Sequence, residues 1–434
     1  MNLILRIISY TLIFIAYLVF MDAYAPMGTG WLEYHSQRIF NAVEFLKING
    51  YLEFYGFTIW DTCRDCSLDF SNWQESIYFS SHSINLLPYI IFNHFGGREY
   101  LVFLGPIYDK MMIFSCAVVI SELFLKSAAS HTSLPKYVIG ISFFCIFVFS
   151  PWTYQMMLAQ WFEVPFLLFF MIGMLAFLYN KTIYGYLAFF SAGLLHYQWA
   201  FLLSAFYFLL IFAKFIFVQN SNIAKYFPPN HESKYHRINI TLILILPVCI
   251  FILLRVYAQQ YIGVGSGSSL FSRIGVSGND IHNGGLIGAM QFLAGARFTQ
   301  CFQGLGMGVF SGNLENIIAF YNCMLSLAGM AILSVISFIG AYFLILRSHL
   351  AKKIFLPLLF ALICMIAFLQ QSLSVHLMGY SFIFSALFSA GILMAIFLLQ
   401  NKFLSNVLGL IFCIPLISGI LILSIRVSML SGMG

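Results

Sequence analysis

Charge is what this sequence has least of. Of its 434 residues, 21 are Lys or Arg and 15 are Asp or Glu, 8% in all. A soluble domain carries about 25% charged residues, so too few side chains are present to clothe this chain in water. That shortage sets aside a soluble enzyme, a disordered regulator and a nucleic-acid-binding domain. The net charge of +6 calls for no anionic partner, because membrane proteins keep Lys and Arg at their cytoplasmic ends in any case. Regular alternation of apolar and polar residues is missing too, which sets aside an outer-membrane barrel with strands of about 10 residues. Charges are nearly absent from the middle of the apolar runs. Asp109, Lys110 and Arg255 fall near outer ends, and Glu122 near an inner one.

What is abundant is apolar surface, 61% of the residues. It comes in continuous runs close to the 20 or so residues that cross a bilayer as helix. The expected fold is an all-α polytopic membrane protein, 1–434 forming a single transmembrane domain with eleven spans. These are 3–21, 108–125, 137–153, 162–179, 183–195, 199–217, 238–257, 319–346, 354–369, 380–399 and 404–425, with only a break at His196–Trp199 dividing 183–217. With the N-terminus in the cytoplasm, twelve basic residues fall inside, among them Arg6, Lys126, Lys181, Arg237, Arg347 and Lys352. The short connections 126–136, 180–182, 347–353 and 401–402 then obey the positive-inside bias, and the C-terminus lies outside. Ala23-Tyr24-Ala25 imitates a signal-peptide cleavage site. The apolar stretch before it exceeds the 7–15 residues of such a region, and Asp22 and Pro26 flank the site, so an uncleaved first helix is expected.

Two outer loops are large, 22–107 and 258–318. All six Trp fall on the outer side: Trp31, Trp60, Trp73, Trp152, Trp161 and Trp199. An interfacial belt accounts for Trp152 and Trp199, and the one-sidedness also fits aromatic platforms for sugar rings. In the first loop, Leu32–Ile48 places Leu32, Ile39, Val43 and Leu46 on one helical face, with Asn49-Gly50 as a stop. Trp73–Phe95 is a second helical candidate, with Pro88 in its middle. Helices too polar to span lie along the interface.

Cys63-Arg64-Asp65-Cys66 has no second ligand pair and no redox-fold context; a small structural disulfide, zinc and a redox role stay open, the disulfide first. The other cysteines read as small packing residues. Thirteen of the 32 glycines lie between 258 and 316. Gly263-Val264-Gly265-Ser266-Gly267 lacks the strand before it and the Lys-Ser/Thr after it that a nucleotide loop needs. A loop that orders around substrate fits better. The sequons at Asn180 and Asn239 fall at cytoplasmic span ends.

A transporter needs polar groups near the midplane. Here they crowd against one face, as in a site that takes a lipid-borne substrate from the membrane and an acceptor from outside. Such a site needs a carboxylate as general base, cations for a departing phosphate, and aromatics and amides for sugar. Asp22 at the outer end of the first span and Glu163 in an outer turn beside Trp161 are the carboxylates. Arg38, Lys110, Arg255, Arg273 and Arg297 are the candidate cations; His196 and His282 add to the candidate substrate-binding set.

A cytoplasmic N-terminus, one span, an acid directly after it and a long outer loop with two interfacial helices resemble the GT-C glycosyltransferases. That class includes protein O-mannosyltransferases, the aminoarabinose transferase of lipid A and serotype-converting O-antigen glucosyltransferases. The likeness covers the layout of residues 1–220. It implies a polyprenyl-phosphate-sugar donor, a glycan or lipid-linked acceptor such as lipopolysaccharide, inverting transfer and a periplasmic site in a bacterial inner membrane. By it, Asp22 is the catalytic base and Glu163 the second acid of some members. The chain departs from the pattern in two ways: Ala23 follows Asp22 where many members pair acids, and no large soluble C-terminal domain is present. No cofactor follows from the resemblance, and metal dependence does not carry over. Two other readings stand beside it. An O-antigen polymerase or ligase would work through Arg273, His282 or Arg297, and a lipid-linked-sugar flippase would move its substrate without reaction.

Overall fold

The computed structural model describes residues 3–24, 30–51, 55, 57–59, 77–78, 83–128, 136–150, 153, 163–217, 234–262, 332, 335–346, 348–368 and 386–395. The described chain is almost wholly helical. The helices are α1 (Leu3–Tyr24), α2 (Gly30–Asn49), α3 (Leu87–Ala128), α4 (Lys136–Val148), α5 (Glu163–Leu178), α6 (Thr182–Leu195), α7 (Tyr197–Phe217) and α8 (Lys234–Ile262). They continue with α9 (Val335–Leu346), α10 (His349–Phe368) and α11 (Ala386–Ala395). Each expected span except 404–425, which lies outside the described residues, holds one of them. Among the described residues, two helical segments are long and apolar enough by length and composition to cross a membrane, Ile84–Ser127 and His236–Tyr261.

The helices turn the soluble pattern inside out. On α8, Leu242, Leu246, Leu253 and Val256 are exposed while Arg255 and Gln259 are buried. On α1, Leu5, Ile8, Leu12, Ile15 and Val19 form an exposed apolar stripe at three- and four-residue steps, the spacing of one helical face. Apolar faces of that extent are not left to water, and lipid is the solvent that suits them.

The chain divides into two compact units, with the division inside α3 at Cys116–Ala117. The first holds Met1–Met27, Ala117–Met156 and Gly278–Gly434. There the Arg6 guanidinium donates from Nε and Nη2 to the two Glu122 oxygens at 2.8 and 2.7 Å. Tyr10 donates its hydroxyl to Glu122 Oε1 at 3.1 Å and stacks on Phe144 at 4.7 Å between centroids. Gly140 on α4 makes that possible, since a Cβ there would stand 2.5 Å from the Tyr10 oxygen. Further along the chain, α9 and α11 meet backbone to backbone. A Cβ on Gly340 would stand 1.9 Å from the Gly391 carbonyl oxygen, and Ser337 donates to the Phe388 carbonyl at 3.2 Å. Small residues that let helix backbones touch are the usual device of membrane helix packing.

The second unit holds Gly28–Cys116 and Met157–Ser277. Here α5, α6, α7 and α8 pack on one another, and Gly193 admits Pro247 of α8, whose Cγ would be 2.8 Å from a Cβ. The junction left open in 183–217 is a single residue. His196 N–H closes α6 on the Ala192 carbonyl at 3.0 Å, and its own carbonyl takes Ala200 N–H at 3.1 Å to start α7. Trp199 corrects the belt assignment. Its ring is 0% exposed and stacks on Phe166 at 5.9 Å, so it is a core residue rather than an interfacial one.

The first loop is partly as expected. Ile39, Val43 and Leu46 of α2 are buried, and Gly50, at φ 95°, ends the helix by donating to the Leu46 carbonyl at 3.0 Å. But Phe40, Asn41 and Ala42 are buried as well, so this part of α2 is enclosed by protein rather than lying with one face on an interface. The expected helix Trp73–Phe95 is corrected. Ile77–Tyr78 pairs antiparallel with Thr58–Ile59, and helix begins with a 3-10 turn at Ser83–Leu86. Pro88 lacks the N–H an interior position needs, so it sits in the first turn of α3.

Candidate functional site

The α3 helix is a hairpin. Tyr89 and Asp109 are twenty residues apart, about 30 Å along a continuous helix at 1.5 Å per residue. Yet the Tyr89 hydroxyl donates to Asp109 Oδ1. The reversal is at Gly97, whose φ of 68° and ψ of −165° break the helix. Only glycine takes such a conformation at little cost. Ring contacts hold the two arms together: Tyr108 meets Tyr89 edge-on at 5.7 Å and Phe92 at 6.1 Å.

The first arm packs into the core of the second unit, with Ile39, Val43 and Leu46 of α2, Tyr89 of α3, and Phe251 and Ala258 of α8. Polar side chains are buried on the same elements. Asn41 lies on α2, Asn85 in the 3-10 turn, Asn93 and Asp109 on α3, and Arg255 and Gln259 on α8. Arg255 is four residues after Phe251 and three before Ala258, so it lies on the face that α8 turns to the core. Gln259 follows it by one turn.

Two of these residues are incompletely bonded. Asn93 is 0% exposed and neither amide atom has a hydrogen-bond partner among the described residues; Asp109 is 8% exposed and its Oδ2 has none among them. Buried polar atoms are almost always paired, and leaving one unpaired costs about 1–3 kcal/mol. Asn93 is one turn beyond Tyr89, on the same face of its arm, so it follows along the hairpin from the Tyr89–Asp109 contact.

Asp109 stands on the second arm of the hairpin, twelve residues after Gly97, and is buried. A buried carboxylate within an apolar helix is a candidate functional group. Lys110 beside it is half-buried; neighbours in sequence point about 100° apart on a helix.

The other expected residues fall as follows. Asp22 lies in the last turn of α1, Arg38 within α2, and Glu163 opens α5. His196 is taken up by the chain itself: its Nδ1 faces the Trp199 N–H at 3.5 Å, and its ring meets Phe166 at 6.0 Å. This is the work of a helix N-cap. Trp161, Arg273, His282, Arg297 and the Cys63–Cys66 pair lie outside the described residues. Among the described residues no three of His, Cys, Asp and Glu gather where they could hold a metal ion.

Sequence reading passed over the carboxamides Asn41, Asn85, Asn93 and Gln259. One signal pointed to them. Asn85, Tyr89 and Asn93 recur at four-residue steps, as do Arg255 and Gln259, which puts polar groups in line on otherwise apolar helices. No protein-family model, curated protein or solved structure matches the chain.

Proposed function

We propose that this protein is a membrane glycosyltransferase of GT-C type. It moves one sugar from a polyprenyl-phosphate donor to a hydroxyl of a glycan or lipopolysaccharide-type acceptor, with inversion, at the outer face of a bacterial inner membrane. The observation that carries the reading is the placement of Asp22. Arg6 and Glu122 form an ion pair, as two groups at one end of neighbouring spans do. Sixteen residues further along α1, about 24 Å at 1.5 Å per residue, Asp22 comes near the far boundary of a hydrocarbon core about 30 Å thick. A carboxylate there meets both a lipid-borne phosphate and a water-borne hydroxyl. It takes the acceptor proton as the hydroxyl oxygen attacks the anomeric carbon and the lipid phosphate departs.

General-base catalysis contributes roughly 10²–10⁴-fold. Purified Asp22→Asn protein with an unchanged melting temperature should therefore transfer sugar slower by about that factor. Transfer at the wild-type rate would remove Asp22 from the role. One observation favours a second reading. Asp109 lies buried in an apolar helix, where transporters keep substrate-handling groups. Movement of lipid-linked sugar across proteoliposomes without turnover would select a flippase.

A further inference from the structure

The hairpin of α3 leaves a defined set of open valences. Asp109 Oδ2 and both amide atoms of Asn93 lack hydrogen-bond partners among the described residues. A hydroxyl both donates and accepts, so adjacent hydroxyls on one ring satisfy the acceptors and the donor together. The walls suit the same ligand. Tyr89, Phe92 and Tyr108 stand around the arms in edge-to-face contact, offering aromatic surface to the C–H face of a pyranose. Tyr108 and Phe92 are only half-buried, which makes theirs the open side.

We propose that the α3 hairpin binds the sugar of the lipid-linked donor, with Asp109 and Asn93 taking its hydroxyls and Tyr108 lying against its ring. Tyr89 is a positioning residue: its hydroxyl occupies Asp109 Oδ1 and turns Oδ2 to the ligand. The choice of a lipid-linked sugar rests on the transferase reading, but the site is tested by binding and needs no turnover.

The experiment measures dissociation constants of the full chain in lipid nanodiscs for four probes: polyprenyl-phosphate glucose, mannose and galactose, and bare polyprenyl phosphate. In the wild type at least one sugar lipid should bind about tenfold more tightly than the bare lipid, the scale of one or two satisfied buried polar atoms. Asp109→Asn and the near-isosteric Asn93→Leu should each shrink that gap to about threefold or less and leave bare polyprenyl phosphate unchanged. Asn93→Leu keeps the test open if Asp109→Asn does not fold. No gap in the wild type, or a gap that survives Asn93→Leu, overturns the proposal. A gap that closes in these variants of a protein without transfer activity upholds the sugar site and removes the transferase. Normal transfer with a gap that survives does the reverse.

Discussion

The two units bury carboxylates in opposite ways. In the first, Glu122 is saturated: both oxygens accept from Arg6, and Oε1 accepts also from Tyr10. In the second, among the described residues, Asp109 has one oxygen bonded to Tyr89 and the other without a partner, while the Asn93 side chain, one turn from Tyr89, has none. A closed set of bonds holds helices together and offers nothing to a ligand. A set left open costs stability. The difference separates a group bonded into the helix packing from one that is not.

The comparison breaks or sharpens under substitution, and the largest effect belongs to the first unit. Gly340→Leu drives a side chain against the Gly391 carbonyl, where backbone cannot give way as a side-chain tip would. A loss of about 3 kcal/mol or more is expected, seen as failure to recover monodisperse protein or as a collapse in melting temperature. Glu122→Gln comes next. It strips the Arg6 guanidinium of its counter-charge, with both side chains about 15% exposed, and should cost about 1–3 kcal/mol. Replacing Arg6 by Gln as well should return part of that loss in a double-mutant cycle. A single mutant as stable as wild type would show that the pair does not hold α1 to α3.

His196→Ala removes the cap of α7 and should cost about 0.5–1 kcal/mol, measured by thermal unfolding in detergent. The smallest expected effect is the most telling. Asn93→Leu should leave stability within about 1 kcal/mol of wild type or raise it, because the amide it removes has no partner to lose. A large destabilisation would mean that Asn93 is built into the fold as Glu122 is, and the contrast between the units would fail.

Much of the fold was open to reading. The apolar runs announced the helices because a span in lipid must satisfy its own backbone. The amphipathic period of Leu32–Ile48 and its Asn49-Gly50 stop located α2 within two residues. Misreadings came where a local rule met a tertiary one. Trp199 looked interfacial by composition, yet Phe166 covers it. Trp73–Phe95 looked helical by hydropathy, yet the two-residue strands Thr58–Ile59 and Ile77–Tyr78 are too short to leave a periodic trace.

Composition and run length pointed by themselves to a helical chain suited to lipid, since those properties follow from transfer of single residues out of water. The proposal for Asp22 rests on the same ground, an acid set directly against an apolar run. Only the tertiary structure decided which polar groups are closed and which are open. Nothing local to Gly97 states that its reversal carries Asp109 back to Tyr89. Nothing local to Glu122 states that Arg6, 116 residues away, completes it. Hydrogen-bond satisfaction is a property of pairs, and the chain chooses its distant pairs only when helices pack.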